Sequence, residues 1–393
     1  MPQKRLAIIT SHPIQYNAPL FQLLNSRNNI KVKVFYTWGK SVLNNKYDPG
    51  FGKQIEWDIP LLEGYEYEFV ENIAKNKGSH HFNGIDNPTL ISEIKIWKAD
   101  TLLVYGWSFK SHLKAMRYFY KKIPVYFRGD STLLDNQNPV KKALRNTFLR
   151  WVYRHIDIAF YVGTNNKAYF KKAGVKENKL IFAAHAINNQ WFQQKAEALK
   201  EASVELRKQL NIGIGEIVFL YAGKLDENKN TRLLIKAFLL AAMPNTHLLI
   251  VGNGEKEAEL KKDFERESII HFLPFQNQQN MPLMYEVCNV FVLPSISETW
   301  GLAINEAMAC SRAILASDGC GCAVDLVKPG INGFVFMKDD MNDAAEKIKI
   351  LSKESTILKK MGEESKNIIA GWSFQNICIA IENQLNQSII IER

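Results

Sequence analysis

Long apolar runs are missing from this chain. No stretch reaches the ~18 consecutive apolar residues that a membrane-spanning helix needs. The first residues, MPQKRLAIITSHPIQYN, contain an apolar run of only about five residues, which is too short for the apolar region of a signal peptide. We therefore expect a cytoplasmic protein.

Paired cysteines are also missing. The five cysteines are an odd number and contain no CxxC pair, which argues against a disulfide framework and against a zinc site. Cys320 and Cys322 flank one glycine, a spacing that a metal could use, but free thiols are the interpretation we adopt. We expect no metal site and no cofactor.

The 393 residues are too many for one ordinary core and suit two domains of roughly 150 to 200 residues each. Short apolar runs alternate with helical segments, and this alternation predicts parallel sheets with helical crossovers. The first series of predicted strands is RLAIIT (5–10), VKVFY (32–36), TLLVYG (101–106), PVYFRG (124–129), IAFYVG (158–163) and KLIFAA (179–184).

The same pattern begins again after a polar, helix-prone stretch at 188–210, which we interpret as the linker region. The second series of predicted strands is EIVFLYAG (216–223), HLLIVG (247–252), IIHFLPF (269–275), VFVLP (290–294) and AILASD (313–318). The fold class is therefore α/β, with two doubly wound, Rossmann-like domains. Such sheets bind ligands beyond the carboxyl ends of their strands, so two of them facing a cleft would line it with loops from both.

Positive charge is concentrated in the first half of the chain. The net charge is +10, and residues 110–172 hold fourteen Lys or Arg against three Asp. Within them, VKKALRNTFLRWVYRH (140–155) predicts a helix with Val140, Leu144, Phe148, Trp151 and Val152 on one face. This helix could lie on an anionic membrane surface or be a core helix with a solvated basic face, and both interpretations stay open. No zinc-finger or RNP-type motif indicates nucleic acid.

Two loops of the second domain carry charged or glycine residues directly after a predicted strand. Lys224 and Lys229 lie five positions apart in KLDENKN, before a helix, where two ammonium groups can neutralise a diphosphate without a metal ion. The next loop reads VGNGE, and Gly252 and Gly254 permit a tight turn and close approach of a ligand to the backbone.

A third loop, SISETWG, joins strand VFVLP to the helix LAINEAMAC. The first N–H groups of a helix lack intrahelical partners, so they are suited to donate hydrogen bonds to phosphate or sugar oxygens. Glu298 can accept hydrogen bonds from sugar hydroxyls. Glu306 lies among apolar residues, where its carboxylate could hold two vicinal ribose hydroxyls; the alternative is an ordinary exposed helix residue. The helix-start amides expected to bind these oxygens are those of Thr299, Trp300, Gly301 and Leu302.

With these residues in place, the chain resembles the retaining family 4 glycosyltransferases of the GT-B fold. The matching stretches are YAGKLDENKNTRLLIKAF, LLIVGNGEKEAEL and LPSISETWGLAINEAMACSRAILASDGCGCAVDLVKPGINGFVF, with Glu298 and Glu306 as the E-x7-E pair. The resemblance covers residues 216–336 most strongly. It implies a domain at 1–190 on the acceptor side, a nucleotide-sugar domain at 191–373, and a final helix at 374–393 that packs back on the first domain.

The resemblance also implies roles for the residues of the loops. Lys224 and Lys229 would hold the donor diphosphate, Glu306 the ribose, and Glu298 with the helix-start amides the transferred sugar and its phosphate. The loop FLPF (272–275), including Phe275, would lie near the base. The absence of a DxD triplet agrees with a metal-free site of this kind.

The sequence departs from the family pattern at three places. Lys224 stands where the family often has arginine, so the charge is kept but the bidentate fork is not. Where the first domain often presents a histidine after a strand, PVYFRGDS offers Arg128 and Asp130, which we expect to line the cleft. The first loop, SHPIQYNAPLF, lacks the usual glycine pair and offers polar side chains to donor or acceptor: His12, Gln15 and Asn17. For 51–69, rich in aromatics and acids, we expect acceptor recognition.

The sequence thus predicts transfer of a hexosyl group from a nucleotide sugar, UDP-sugar favoured over GDP-sugar, to a hydroxyl of a glycan or lipid-linked acceptor. The expected setting is bacterial surface polysaccharide or glycolipid assembly, at the inner face of the membrane. Three alternatives are a nucleotide-sugar epimerase, a phosphorylase that cleaves a glycosidic bond with inorganic phosphate, and a non-catalytic glycan-binding protein with a vestigial site.

Overall fold

The structure is a computed structural model that describes residues 3–40, 47–48, 53–54, 58–134 and 139–387. The chain divides into two compact units. Unit 1 comprises Met1–Lys46, Pro60–His185 and Phe374–Arg393, and unit 2 comprises Tyr47–Ile59 and Ala186–Ser373. The boundaries expected from the sequence, near 190 and 374, lie close to these. Residues 47–59, which those boundaries assign to the first domain, group with unit 2.

Unit 1 is built on a seven-stranded parallel sheet with the strand order β5-β2-β1-β6-β7-β8-β9. Its strands are β1 Lys4–Thr10, β2 Ile30–Tyr36, β5 Glu66–Phe69, β6 Thr101–Tyr105, β7 Val125–Arg128, β8 Ile158–Tyr161 and β9 Leu180–Phe182. Its helices are α1 Ala18–Ser26, α2 Leu90–Ile96, α3 Lys110–Phe119, α4 Pro139–Tyr153, α5 Thr164–Lys172 and, from the end of the chain, α15 Phe374–Asn386.

Unit 2 contains a six-stranded parallel sheet with the order β12-β11-β10-β13-β14-β15, and an antiparallel pair of Tyr47–Asp48 (β3) with Lys53–Gln54 (β4). The sheet strands are β10 Ile217–Ala222, β11 Thr246–Val251, β12 Ile270–Leu273, β13 Val290–Leu293, β14 Ala313–Ser317 and β15 Gly333–Phe336. The helices are α6 Asn189–Ala198, α7 Lys200–Gln209, α8 Thr231–Ala241, α9 Glu257–Asp263, α10 Met281–Val287, α11 Leu302–Ala309, α12 Ala323–Leu326, α13 Met341–Leu351 and α14 Ser355–Ile369.

The inner strands of both sheets are buried on their two faces, which is why they are continuous apolar runs. Every residue of β10 and β11 is buried, as expected of parallel strands covered by helices on both sides. All eleven strands predicted from the sequence are present. The fold class of two doubly wound α/β domains is confirmed.

The stretch 188–210, interpreted as a linker region, is instead part of the body of unit 2. It forms α6 and α7, which pack on α10. Phe192 is fully buried, and the side chain of Asn188 caps α6 by accepting a hydrogen bond from the Trp191 amide at 3.2 Å. Its polar composition reflects the solvent face of two amphipathic helices, and so the linker interpretation was wrong.

The C-terminal helix α15 packs within unit 1. Arg27, at the end of α1, donates two hydrogen bonds to the carboxylate of Glu382, at 2.7 and 2.8 Å. Lys4 donates to the backbone oxygen of Leu385 at 2.6 Å, and the Tyr126 hydroxyl donates to that of Gln384 at 3.0 Å. The last helix is therefore held by side chains from both β1 and β7.

Candidate functional site

The strand order of unit 2 places its crevice between β10 and β13. Counted along the unit, the order is 3-2-1-4-5-6, in which the chain reverses direction of winding between the first and fourth strands. Ligands of doubly wound sheets bind at this switch point, beyond the carboxyl ends of the strands. The loops after β10 and β13 are those that carry Lys224, Lys229 and Glu298.

These two loops are joined by side chains across the switch point. The Lys229 ammonium group is paired with the Glu298 carboxylate, and about a fifth of each side chain is exposed (20% and 21%). One residue before Lys229, Asn228 donates to the Ser297 carbonyl at 2.7 Å and accepts from the Ser297 amide at 3.1 Å. The charged pair is therefore held in place by the backbone of both loops. Asn228 was not singled out from the sequence, although it lies in the predicted lysine loop.

The conformation of the lysine loop is fixed by its own residues. Asp226 accepts a hydrogen bond from the Lys229 amide at 3.0 Å, as an N-terminal cap does. Asn230 adopts a left-handed conformation with φ of 53°, and its side-chain amide donates to the Lys338 carbonyl at 3.0 Å. The Tyr221 hydroxyl donates to the Lys224 carbonyl at 2.5 Å. Both lysines thus project from a constrained turn at the start of α8.

Glu298 is also fixed through its backbone. Its amide donates to the Gly319 carbonyl at 3.0 Å, and its carbonyl accepts from the Gly321 amide at 2.9 Å. A Cβ at Gly321 would lie 1.9 Å from the carbonyl oxygen of Thr299. Only glycine permits this approach, so the GCGC stretch after β14 is required for seating the glutamate loop. Nothing in this arrangement requires a metal at Cys320 or Cys322.

The cysteines are buried thiols, as expected. All five are free, and burial raises the pKa of Cys288, Cys320 and Cys378 to about 12. Among the described residues, no group of three or more His, Cys, Asp or Glu side chains has the arrangement of a metal site.

Glu306 is buried, with only 4% of its surface exposed. One carboxylate oxygen accepts a hydrogen bond from the Tyr285 hydroxyl at 2.7 Å, and Tyr285 itself is fully buried on α10. The alternative of an ordinary exposed helix residue is excluded. Glu306 remains our candidate for binding the ribose hydroxyls. It is a buried carboxylate that accepts a hydrogen bond from Tyr285, and it lies on α11, which begins at the switch point.

The residues between the two glutamates have separate roles. Trp300 is 3% exposed, and its indole N–H donates to the Asn305 side chain at 2.9 Å, so the ring anchors the loop in the core. Thr299 is exposed, and Gly301 precedes α11 with a left-handed φ of 100°. Leu302 is the first helical residue. That the backbone amides of these four residues bind a ligand stays a prediction.

The two glycines after β11 are explained by contact between backbones. A Cβ at Gly252 would lie 1.9 Å from the Gly223 carbonyl oxygen, and one at Gly254 would lie 2.5 Å from that of Leu225. The glycine loop therefore packs directly on the lysine loop and supports it. The Phe275 amide, after β12, donates to the Asn253 side chain at 3.0 Å, which ties the predicted base loop to the same support.

In unit 1 the equivalent switch point lies between β1 and β6, so the loop after β1 flanks it. His12 contacts the Ser11 hydroxyl at 2.9 Å and the Trp38 ring edge-on at 5.2 Å between ring centres, and burial lowers the pKa of His12 to about 4. Gln15 is 9% exposed, and its buried side-chain oxygen has no hydrogen-bond partner among the described residues. Asn17 precedes α1 without capping it through its side chain.

Arg128 does not line an open surface. It is 6% exposed, and its two terminal nitrogens donate to the carbonyls of Ala183 and Ala184, each at 2.7 Å. The guanidinium therefore holds the loop after β9, through a long-range contact that the sequence does not display. The cleft role expected for Arg128 stays a prediction. Asp130, in contrast, is about half exposed (47% of its side chain), and its carboxylate lies 3.9 Å from the His185 ring nitrogen.

The basic helix α4 is turned differently from the expectation. Its buried residues are Leu149, Val152 and Tyr153, whereas Leu144 is 71% and Phe148 42% exposed. The predicted apolar face of Leu144, Phe148 and Val152 was therefore only partly right. The helix has two adjacent apolar stripes, and the buried one contains Leu149, Val152 and Tyr153. The side chains of Val140, Lys141 and Lys142 lie outside the described part. So do residues 51–52 and 55–57 of the stretch 51–69, for which acceptor recognition stays a prediction.

Comparison with known proteins agrees with this geometry. Residues 203–368, which contain the lysine, glycine and glutamate loops, match the family model "Glycosyl transferases group 1". Most of unit 2 is thus similar to the glycosyltransferase domains of this family. The resemblance stated from the sequence is confirmed by this match.

Curated relatives align over about half of the chain. An N,N'-diacetylbacillosaminyl-diphospho-undecaprenol alpha-1,3-N-acetylgalactosaminyltransferase of Campylobacter jejuni is 25% identical over 214 residues, which are 54% of this chain and 55% of that protein. A lipopolysaccharide 1,2-N-acetylglucosaminetransferase of Salmonella typhimurium is 27% identical over 194 residues, 46% of this chain and 51% of that protein. The match thus spans about half the length of each relative.

Solved structures align over nearly the whole chain. Sucrose-phosphate synthase from Thermosynechococcus elongatus has a TM-score of 0.74 at 17% identity, covering 98% of this chain and 99% of that one. Anabaena HepE in complex with UDP and glucose has a TM-score of 0.67 at 16% identity, covering 98% and 100%. At this identity the likeness establishes the fold, which is the GT-B fold of two Rossmann-like domains.

Proposed function

We propose that this protein transfers a hexosyl group from a nucleotide sugar to a hydroxyl group of a glycan or lipid-linked acceptor. The observation that carries the proposal is the pair formed by Lys229 and Glu298 across the switch point of unit 2. It puts a cation for a diphosphate and an acceptor for sugar hydroxyls side by side, where doubly wound sheets bind nucleotides.

The leaving group of such a transfer gains negative charge as its bond to the sugar breaks. Lys224 and Lys229, with the amides at the start of α11, are suited to stabilise that charge where it develops. The ammonium groups come from a loop fixed by Asp226 and Asn230, so little reorganisation is needed when the diphosphate arrives. The proposed reaction uses no metal ion and no cofactor.

Glu298 and Glu306 divide the sugar contacts between them. Glu298 is part-exposed and lies beside Lys229, so it addresses the transferred sugar next to the diphosphate. Glu306 is buried deeper and held by Tyr285, so it takes the ribose hydroxyls. No carboxylate of this set is singled out as a nucleophile, and we therefore favour retention by attack on the same face, guided by the leaving phosphate, over a covalent intermediate.

A UDP-sugar is the preferred donor, and bacterial surface polysaccharide or glycolipid assembly is the preferred setting. HepE was solved with UDP and glucose, and the relatives from Campylobacter jejuni and Salmonella typhimurium are named for transfer to a lipid-linked diphosphate and to lipopolysaccharide. These properties belong to those proteins. They support the same classes of donor and acceptor for this one.

A membrane surface is the proposed second partner, through the outer face of α4. Leu144 and Phe148 are exposed there, and Phe148 contacts Trp107 and Trp151 at 5.4 and 5.6 Å between ring centres. Arg150 is exposed on the same helix. Apolar side chains flanked by basic ones bind anionic lipid headgroups. No helix in the described ranges has both the length and the apolar character to cross a bilayer.

Lipid vesicles test this partner. Binding of the wild type to vesicles with anionic lipid is expected to weaken with salt. It should also weaken when Lys141, Lys142, Arg145 and Arg150 are neutralised, and in Leu144→Ser/Phe148→Ser. Ile96→Ser, which removes an equally exposed apolar side chain (79%) elsewhere in unit 1, is the matched control. Equal binding by all variants would contradict the membrane assignment.

The transferase assay uses UDP- and GDP-hexoses with EDTA and a set of glycan and lipid-linked acceptors. Release of nucleotide that depends on acceptor, with retention at the anomeric carbon of the product, is the expected result. An isomerised donor in the absence of acceptor would identify an epimerase instead. Binding of a glycan without any nucleotide release would identify a vestigial site.

A further inference from the structure

Three polar side chains form a hydrogen-bonded row at the amino end of the unit 2 sheet, opposite the end that carries the lysine loop. Glu216 lies directly before β10, His247 is the second residue of β11, and His271 is the second residue of β12. The His247 Nε2 atom lies 3.0 Å from the Glu216 Oε2 atom, and the His247 Nδ1 atom lies 3.0 Å from the His271 Nε2 atom. We call this row the imidazole chain. None of its members takes part in the proposed transfer.

With both rings neutral, only one distribution of protons satisfies the imidazole chain. The Gly213 amide, and after it His247 and Arg207, lower the pKa of Glu216, so its carboxylate is ionised near pH 7 and can only accept. His247 must therefore donate from Nε2, which leaves its Nδ1 atom as an acceptor. His271 must then donate from Nε2, so its own Nδ1 atom carries no proton.

The two rings can accept one further proton, but not two. A proton added to the His271 Nδ1 atom leaves both hydrogen bonds of the imidazole chain intact. With both rings charged, His247 Nδ1 and His271 Nε2 would each carry a proton across 3.0 Å, so two donors and two positive charges would face each other. Burial, and after it the charge of His247, lowers the pKa of His271. Uptake of the second proton therefore requires the rings to separate.

Separation of the rings would act on β12, an edge strand of four residues in the described sheet. Ile270 is its one buried residue. Its amino end is held by the Leu248 amide, which donates to the Ile269 carbonyl at 2.9 Å, and its carboxyl end by the Gly252 amide, which donates to the Leu273 carbonyl at 3.1 Å. Segments with little burial open locally at a low cost in free energy. The pairing of β12 with β11 is therefore what a second proton would weaken.

The charged side chain that faces the imidazole chain from a packed helix is Arg207 of α7. It donates to the Glu216 carbonyl and, at 2.9 Å, to the Val287 carbonyl at the end of α10. Cys288 lies close to Arg207, and burial raises the pKa of that thiol to about 12. Arg312 also lies close to Arg207, and arginine stays protonated in proteins. Of these groups, only the two rings change charge between pH 7 and pH 5.

We propose that the imidazole chain is a pH-sensitive switch that keeps β12 paired with β11 while the two rings share at most one proton, and that loosens this pairing in acid. This inference rests on contacts within unit 2 and not on the proposed function. Because the folded pKa of His271 is lowered, the stabilisation is complete above the unfolded value of ~6.5 and is lost as pH falls below it. The loop after β12, which the Phe275 amide ties to Asn253, would be loosened with the strand.

Hydrogen exchange of single backbone amides, corrected for the intrinsic effect of pH on exchange, tests the switch. Protection of the Leu248 amide should fall about 10-fold between pH 7 and pH 5, because each unit between the open and closed pKa of His271 favours opening tenfold. The Ile217 amide is the internal control, since it donates to the Asn245 carbonyl at 2.9 Å at the same end of the sheet, and its protection should change little. Equal protection of Leu248 at both pH values would overturn the proposal.

The variant His271→Gln separates the switch from a contact that is only structural. A glutamine side-chain amide can donate to His247 Nδ1 as the imidazole does, but it takes up no proton. Leu248 should then be equally protected at pH 7 and pH 5. His81→Gln removes an exposed histidine of unit 1, and this control should behave as the wild type. A fall in protection as large in His271→Gln as in the wild type would overturn the proposal.

The ring nitrogens of the wild type provide a test that does not depend on the folding of a variant. In nitrogen NMR spectra near pH 8, His247 and His271 should both carry their proton on Nε2. On acidification the two rings should titrate in two linked steps, the second of them below the ~6.5 of an ordinary histidine. A proton on Nδ1 of either ring near pH 8, or two independent titrations at the ordinary value, would overturn the proposal.

Discussion

Replacing Lys229 by alanine should weaken binding of a nucleoside diphosphate without unfolding unit 2. A hydrogen bond between charged groups contributes about 1.5–3 kcal/mol, and each 1.4 kcal/mol is about tenfold in affinity. Lys229 is paired with Glu298 before the ligand arrives, and breaking a pair of this partial exposure costs up to about 1 kcal/mol. The net expectation for Lys229→Ala is a rise of about 3- to 30-fold in the dissociation constant of UDP.

The partner substitution should act in the opposite direction. Glu298→Gln keeps the shape of the side chain but removes the charge that competes with the diphosphate for Lys229. We therefore expect UDP to bind as tightly as to the wild type or up to about fivefold more tightly, while transfer falls because the sugar contact is weakened. The two substitutions thus separate binding of the diphosphate from recognition of the sugar.

Titration calorimetry with EDTA present measures both effects, with GDP run in parallel. Lys347→Ala is the matched control, because Lys347 pairs with Asp343 at 3.4 Å with similar exposure (29% and 27%) on α13, away from the switch point. Lys229→Ala binding UDP and GDP with wild-type affinity would refute the assignment of the lysine. If Lys347→Ala weakened UDP binding to the same extent, the effect would come from loss of net positive charge and not from the position of Lys229.

Four other predictions follow from buried or paired groups. Arg128→Ala removes two hydrogen bonds of a buried cation, so the free energy of unfolding in urea should fall by about 2–4 kcal/mol; a change below 1 kcal/mol would contradict its anchoring role. Glu306→Ala should abolish most transfer while the circular dichroism spectrum stays unchanged, and near-normal turnover would refute the ribose assignment. Hydrogen bonding to Arg27 lowers the pKa of Glu382, so this contribution to stability is present above the unfolded pKa of ~4.3 and is lost as pH falls through the folded value; Glu382→Gln should flatten the acid limb of a pH–stability curve. The buried cysteines, such as Cys288, should react with a thiol reagent only after denaturation, and rapid reaction in the native protein would contradict their burial.

Much of the fold follows from local patterns in the sequence. Strands such as Ile217–Ala222 are unbroken apolar runs because parallel strands are covered on both faces, and a run of this kind is visible in the sequence alone. The strand Glu66–Phe69 was missed because its alternating acids and aromatics are typical of a part-exposed edge strand. Gly333–Phe336 was missed because it is short and begins at a glycine.

The candidate site was predictable where its residues follow strands. Lys229 and Glu298 both come from loops directly after predicted strands, where doubly wound sheets bind ligands. That these two loops adjoin follows from the strand order, which the structure shows.

Side-chain orientation was the least predictable feature. The burial of Arg128 was not foreseen because its partners lie 55 and 56 residues away along the chain. Leu144 and Phe148 fit an apolar stripe, yet tertiary packing buries the adjacent stripe that includes Leu149. Periodicity indicates that a helix has an apolar face, and only the neighbouring elements decide which of two such faces is covered.

The most direct test of the central claim is a thermal-shift screen of the wild type against UDP, GDP, ADP and their hexose conjugates, with EDTA present. A ligand that binds only the folded state raises the unfolding temperature. We predict a clear rise with the UDP series, which would establish a metal-independent nucleotide-sugar site. No rise with any of these ligands would contradict the transferase proposal.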